Sequence, residues 1–202
     1  MKVGLSSEER KLLMNDQYND DRGGVDSNTV GVYRTAATVK GGRRFSFSAM
    51  VVCGDRQGRV GLGYGKANQV PNAIEKAQKK AKREMREFPL TGTTIPHEVT
   101  GRFGACTVRL VPASPGTGVI AGAAVRAVLD LLGVQDCLSK AFGSTNNKNL
   151  TKAVLDGLHQ LRSRESVQAL RKVDIEKTHT ELSHEAAPSL VTEEVVTEEA
   201  AV

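Results

Sequence analysis

The chain of 202 residues contains no tryptophan, and aromatic residues make up only 4% of it. This scarcity argues against nucleic-acid recognition by base stacking on several exposed rings. The three cysteines, Cys53, Cys106 and Cys137, stand far apart in apolar runs with no CxxC pair. They read as reduced, buried thiols of a cytoplasmic protein, not as a disulfide framework. The longest apolar run, Val119 to Val125, stops at Arg126, far short of the ~18 residues of a membrane span. The N-terminus has no apolar signal core and carries Glu8, Glu9, Asp16, Asp20 and Asp21, so secretion is not expected.

Catalytic signatures are equally scarce. No Gly-Lys-Ser/Thr appears, so a Walker loop is excluded, and no serine or cysteine sits in a GxSxG pattern. The histidines His97, His159, His179 and His184 form no HExxH, and no metal site is expected. The segment Gly116-Thr117-Gly118-Val119-Ile120-Ala121 does fit the dinucleotide fingerprint GxGxxA, with Asp136 further along. Its context fails: Pro112 and Pro115 interrupt the strand-to-turn junction, and Asp136 would start a strand. The glycines let a loop close on the next helix, or free amides at that helix start hold an RNA phosphate. No cofactor and no enzymatic activity are expected.

What is present is a core-forming composition, 39% apolar and 25% charged, long enough for one medium domain or two small ones. The formal charge of +5 is unevenly spread. Residues 1–29 carry 4 basic and 6 acidic groups, 30–163 carry 20 and 8, and 164–202 carry 4 and 9. A basic body thus lies between acidic flanks, and a basic body seeks a polyanion such as nucleic acid. The segment 178–202 lacks a sustained helical period and is expected to be a disordered acidic tail.

Along the body, Phe45 to Val52 alternates and then runs apolar, which predicts a half-buried strand. Gly54–Gly58 is a turn, and Arg59–Gly65 a second strand. Gly61, Gly63 and Gly65 share one face of it, and Val60, Leu62 and Tyr64 share the other. The side-chain face can bury against a helix; the glycine face relieves crowding, marks a bulge or admits a phosphate backbone. A helix follows from Pro71 and is closed by Pro89, with Ile74, Ala77, Ala81, Met85 and Phe88 on one stripe. Lys76, Lys79, Lys80, Lys82, Arg83 and Arg86 lie opposite, diluted by Glu75, Glu84 and Glu87. Beyond a junction at 90–96, His97–Thr100 and Cys106–Val111 read as strands separated by Gly101–Gly104. Ala121–Leu132 reads as a buried helix whose Arg126 and Asp130 are spaced to pair, ended by Gly133. A short strand Cys137–Phe142, a polar loop Gly143–Asn149 and a helix Leu150–Leu161 complete the body.

Several blocks now fall in order: Val39-Lys40-Gly41-Gly42-Arg43-Arg44-Phe45, Gly58-Arg59-Val60-Gly61-Leu62-Gly63-Tyr64-Gly65-Lys66, Pro112-Ala113-Ser114-Pro115-Gly116-Thr117-Gly118 and Gly143-Ser144-Thr145-Asn146. Together they closely resemble the bacterial fifth small-subunit ribosomal protein family over about residues 30–177. The resemblance implies an α+β fold of two small domains. The first is a double-stranded-RNA-binding-like unit of three strands and a helix (30–92). The second is a sheet packed on two helices with a left-handed βαβ crossover (93–163). A short helix (164–177) follows, with the acidic segments 1–29 and 178–202 outside the family.

It also implies a structural constituent of the small ribosomal subunit that binds ribosomal RNA where head meets body. Such a protein contacts its neighbours S-four and S-eight, borders the messenger entry path and influences decoding accuracy. The implied RNA-binding set is Lys40, Gly41, Gly42, Arg43, Arg44, Arg56, Arg59, Lys66, Lys80, Arg83, Ser144, Thr145, Asn146 and Lys148. Gly118 and Arg126 match positions near the S-four interface. Two departures stand out. Ala37 occupies a position where many relatives have lysine, and Asn147 one where proline is common, which leaves that loop less fixed. The rival reading, a free double-stranded-RNA-binding regulator using residues 30–90 alone, is weakened by the missing leading helix.

Overall fold

The computed structural model describes residues 24–173 and Leu182. The expected acidic tail at 178–202 and most of the N-terminal extension therefore lie outside the described residues. Strands β1 (Asp26–Val39), β2 (Gly42–Gly54), β3 (Arg59–Ala67) and β4 (Arg86–Glu87) form an antiparallel sheet in that order. Helix α1 (Val70–Arg83) joins β3 to β4. A second sheet has the order β5 (Val99–Phe103), β6 (Cys106–Pro112), β8 (Cys137–Gly143), β7 (Val119–Ile120). Its β7 and β8 run parallel, joined by α2 (Ala123–Leu132); α3 (Asn147–Gln160) and α4 (Arg164–Arg171) follow. The α+β class and the two sheet-plus-helix halves agree with the sequence reading. Strand β1 begins at Asp26, so pairing starts within the stretch that charge alone grouped with the N-terminal extension.

The alternation of β2 explains the layering. Ala49, Val51 and Cys53 face α1, whereas Met50 and Val52 face the opposite side, toward the second half of the chain. The α1 side is a small core of Ala49, Val51, Cys53, Ala73, Ala77 and Ala81. The other side is continuous with the second half: Met50, Val52, Val60 and Phe88 join Val108, Leu110, Leu129, Leu132, Val154 and Leu158 in one cluster. Helix α2 lies in this shared core, with Ala124, Val125, Ala127, Val128, Leu129, Leu131 and Leu132 all buried. The two cores are thus not one per domain, because the larger straddles the boundary.

At β3 the glycine face relieves crowding, one of its readings, whereas the helix read for the side-chain face lies on the glycine face instead. Gly61, Gly63 and Gly65 turn toward α1, not toward a ligand: a Cβ on them would strike the carbonyls of Ala81, Ala77 and Ala73 respectively. Three alanines at i, i+4 and i+8 meet three glycines at i, i+2 and i+4, so helix and strand approach backbone to backbone. The other face divides: Val60 is buried in the shared core, Leu62 is half-buried and Tyr64 is exposed. Helix α1 also stops earlier than the Pro89 boundary. The chain leaves it after Arg83 so that Arg86–Glu87 pairs with the edge of β3, and the Phe88 amide bonds the Gly58 carbonyl at 2.9 Å. Met85 and Phe88 consequently leave the helical stripe, and Phe88 enters the shared core.

Three further boundaries shift. Strand β5 continues through Gly101-Arg102-Phe103, leaving Gly104-Ala105 as the turn, because Gly101 lets α3 cross at Gly157 without a Cβ between them. The short strand β7 precedes α2, which therefore starts at Ala123 rather than Ala121. Helix α3 starts at Asn147, since Asn146 caps it by accepting from the Lys148 amide at 3.1 Å, which shortens the polar loop.

The halves are further joined by the β2–β3 turn. The Arg56 amide donates to the Leu131 carbonyl (3.0 Å) and the Gly58 amide to the Leu132 carbonyl (2.9 Å), so the turn satisfies the C-terminus of α2. Across the same boundary, the hydroxyl of buried Thr151 of α3 lies 3.2 Å from the Met50 sulfur. No described helix is long and apolar enough to cross a membrane.

Candidate nucleic-acid interface

Strands β1 and β2 outrun their sheet. The last β2–β3 pair is Phe47 with Ala67, whereas β1 and β2 stay paired out to Val39 with Gly42. The five residues from Ser46 to Gly42 make a two-stranded arm about 17 Å long at ~3.4 Å per residue. Every residue from Ala36 to Phe45 is exposed. Lys40 and Gly41 form the tip, and Arg43 and Arg44, as neighbours on a strand, project to opposite faces. Arg34 lies 4.8 Å over the Phe45 ring, and Thr35 and Ser46 hydroxyls meet at 3.1 Å, which stiffens the base of the arm. Between Asp26 and Asp55 the chain carries no carboxylate side chain at all. The arm is therefore a cationic lever with no internal neutralisation.

At its base a hollow of about 580 Å³ is lined by Ser46, Lys66, Asn68, Asn72, Lys76 and Lys79, with Glu75. Lys66 thus meets the basic face of α1. On that face Lys79 holds Glu75 at 2.6 Å and Lys80 holds Glu84 at 3.7 Å, both exposed pairs worth little against a competing polyanion. Lys76 and Lys79 belong to this surface, although of the α1 cations the RNA-binding set implied by the resemblance holds only Lys80 and Arg83. A lysine at every third or fourth position of α1 was the available signal.

Arg56 and Arg59 sit elsewhere, at the far end of the sheet beside α2. Arg56 pairs with Asp26 at 2.8 Å, and Arg59 with Asp55 at 2.6 Å. Burial pushes the Asp55 carboxyl up, but donation from the Gln57 amide and from Arg59 outweighs it and holds the group below its ordinary pKa. Both arginines thus stabilise the turn that caps α2.

In the β8–α3 loop, the Ser144 carbonyl accepts from the Cys106 thiol at 2.8 Å and the Ser144 hydroxyl accepts from the Asn146 amide at 3.4 Å. Thr145 and Asn146 are exposed. The Lys148 ammonium lies 4.3 Å from the Tyr33 ring and 4.9 Å from Tyr64, so it clasps the first sheet to α3. The Tyr64 hydroxyl is held below its ordinary pKa by a hydrogen bond with Ser48 and by the Lys148 and Lys66 charges, against burial.

The remaining positions cluster around β7. Gly118, in the left-handed region at φ 76°, donates its amide to Asp136 at 2.9 Å, and Thr93 donates to the same carboxylate at 2.8 Å. The aspartate considered in the dinucleotide pattern therefore fastens this loop from inside. The Gly118 amide is engaged by Asp136, and β7 stands between this loop and α2, so the glycine loop itself is not the start of that helix. Arg126 donates to the Val119 carbonyl at 2.5 Å, and acts on Asp130 through its field. Asp130 sits above its ordinary pKa because burial outweighs Arg126 and Arg56. Exposed Ile120 and Leu138 lie paired beside this site.

A two-sheet α+β body with a carboxylate-free basic arm and basic helix faces defines a polyanion-binding structural protein. Family comparison makes the class specific. Residues 25–89 match the model of the ribosomal protein S5 N-terminal domain, and residues 101–171 match that of its C-terminal domain. Relatives named small ribosomal subunit protein uS5 include one from Rhodopirellula baltica, 53% identical over 156 residues covering 76% of this chain and 88% of that protein. Another from Syntrophobacter fumaroxidans is 58% identical over 142 residues, covering 70% and 86%. A third, from Thermus thermophilus, is 55% identical over 141 residues, covering 70% and 87%. The chain belongs to the ribosomal protein S5 family, whose members are structural, non-catalytic components of the small ribosomal subunit.

Proposed function

We propose that this protein is a structural constituent of the cytoplasmic small ribosomal subunit that binds small-subunit ribosomal RNA at the junction of head and body. The observation that carries this reading is the arm: Lys40, Arg43 and Arg44 stand on an exposed ribbon with no carboxylate between Asp26 and Asp55. Such a ribbon fits against phosphates, while the base hollow with Lys66 and the α1 face with Lys80 and Arg83 extend the contact. Gly41 at the tip and Gly42 beside it leave that stretch of backbone without side chains that would hold it off. The loop at Ser144–Asn146, with Lys148 in the first turn of α3, supplies a further surface toward RNA of the body, with Thr145 and Asn146 exposed on it.

The same reading places Gly118 and Arg126 at the contact with protein S-four, with S-eight and the messenger path nearby. The exposed apolar pair Ile120 and Leu138 beside them suits a protein neighbour better than RNA. Through that contact the protein would hold head orientation and influence accuracy. The domain division at 92/93 falls where one sheet gives way to the other, and one core spans it. This continuity also speaks against residues 30–90 acting alone.

The test is sedimentation of the native protein in a sucrose gradient of lysate, before and after a moderate salt wash. Stoichiometric migration with the small subunit through the wash is expected; confinement to soluble fractions would overturn the reading. For the arm, Arg43→Ala with Arg44→Ala is expected to weaken assembly or accuracy, and wild-type behaviour of both would remove the arm from the interface.

A further inference from the structure

Between the halves lies a groove of about 730 Å³ that brings Lys80, Arg83 and Lys148 of the implied RNA-binding set together with Arg86 and Lys152, which that set leaves out. One wall is the end of α1 and the start of β4, with Lys80, Arg83 and Arg86; the other is α3, with Lys148 and Lys152. The floor is apolar, with Met50, Leu62 and Leu155. Against five cations, Glu84 is the one carboxylate among the lining residues.

The way these cations are held matters more than their number. Lys148 is fixed by the Tyr33 and Tyr64 rings, and Lys152 lies 4.7 Å over the Phe103 ring. Ring faces position an ammonium without neutralising it. Arg86 contacts His159 at 3.4 Å, where burial and the arginine charge hold the imidazole below its ordinary pKa and favour its neutral form. Arg86 is therefore also positioned by an uncharged partner. Lys148 and Lys152, four residues apart, stand ~6 Å apart along the axis of α3. The groove thus offers fixed, unneutralised charge on both walls above an apolar floor, with the exposed Tyr64 ring on its side.

We propose that this groove binds a single RNA strand, its phosphates on Arg83, Arg86, Lys148 and Lys152 and a ribose or base on the Leu62–Leu155–Tyr64 surface. The inference rests on the ribosomal reading above and adds a site to it. A single strand is favoured because a pocket of this size takes a ligand of drug or nucleotide dimensions, whereas a duplex presents a broad, shallow face. Cations flanking an apolar and aromatic floor are the arrangement that binds unpaired strands. The strand would bridge both halves, so binding there would add to the cohesion of the shared core.

The experiment uses the full chain with small-subunit ribosomal RNA transcribed in vitro, partly substituted with 4-thiouridine. Affinity is measured against salt for the wild type, for Arg86→Ala with Lys152→Ala, and for Arg43→Ala with Arg44→Ala. Removing two groove phosphate contacts is expected to lower the slope of log affinity against log salt by about 1.4, at ~0.7 per single-strand phosphate. Photocrosslinks are expected on peptides containing Tyr64 or His159, and Lys152→Arg is expected to keep the slope. Because both replaced side chains are exposed, the variant should melt with the wild type; Lys152→Glu alone provides a second reading if it does not. An unchanged slope in the groove variants, with a reduced slope in the arm variant, would overturn the groove while leaving the ribosomal reading intact. Groove amide signals that respond to deletion of residues 178–202, but not to RNA, would assign the groove to the acidic tail and overturn it also. No binding of the transcript by the wild type would overturn both.

Discussion

The two faces of the first sheet are packed in opposite ways. Toward α1 the contact is made of glycine and alanine, with backbone nearly touching backbone. Toward the second half it is made of leucine, valine and methionine, filling a thick core around α2. The thin face fixes the height at which the basic side of α1 stands over the sheet. The thick face fixes the relation between the two halves. One surface is therefore intolerant of added volume and the other of lost volume, although both belong to the same sheet.

That contrast yields its largest expected effect in the thick core. Leu129→Ala should destabilise by about 2–5 kcal/mol, because a fully buried leucine leaves a cavity between two sheets that cannot both move in. Urea midpoints with an unchanged m-value would check it, and a loss below ~1 kcal/mol would mean that α2 is loosely packed. In the thin face the sign of the volume change reverses. Gly63→Ala should cost about 1–3 kcal/mol by pushing α1 away from β3, whereas a methyl on a solvated strand position would cost little. A neutral result would show that α1 stands further off than its contact with Ala77 implies. Lys148→Met removes the clasp between α3 and the first sheet, and about 0.5–2 kcal/mol is expected. Tyr33→Leu in the same background should then add less than it does alone, a double-mutant coupling that vanishes if the rings do not hold the ammonium.

The smallest expected effect is a pH dependence. His159 is held below its ordinary pKa, so the unfolded chain binds its proton more readily. The associated stability is fully present above the unfolded value near ~6.5 and declines as pH falls through it. His159→Gln should flatten that part of a urea-midpoint profile between pH 7.5 and 5.5, and an unchanged slope would place its origin elsewhere.

These features were unequally legible in the chain. The burial of α2 was readable because its residues are apolar nearly all round, and Gly133 marked its end with φ at 97°. The basic side of α1 was readable from its helical period. The arm was not, because Asp26–Val39 mixes polar and apolar residues and buries only Ser27 and Val30; pairing with β2, rather than burial, makes it a strand. The glycine row of β3 showed which face was bare but not what approaches it. Ala73, Ala77 and Ala81, at helical spacing in the very next element, carried that answer. Arg86 and Lys152 were invisible as a site because 65 residues of chain separate them from one another (87–151), and only the shared core brings β4 and α3 to one groove. Lys148 was picked out as an RNA contact from the loop, but its place between two tyrosines required the tertiary structure.

The central claim is that both cores belong to one cooperative body, and the native cysteines report on each. Cys53 lies in the thin core and Cys137 in the thick one; burial pushes both thiols up to about 11, so each is inert while folded. The decisive measurement is mass-resolved alkylation of the full chain across a urea series. The account predicts that Cys53 and Cys137 become reactive at the same midpoint, because the turn at Arg56, the Lys148 clasp and the common cluster unfold together. Labelling of one cysteine at a clearly lower urea concentration, with the other still protected, would contradict it.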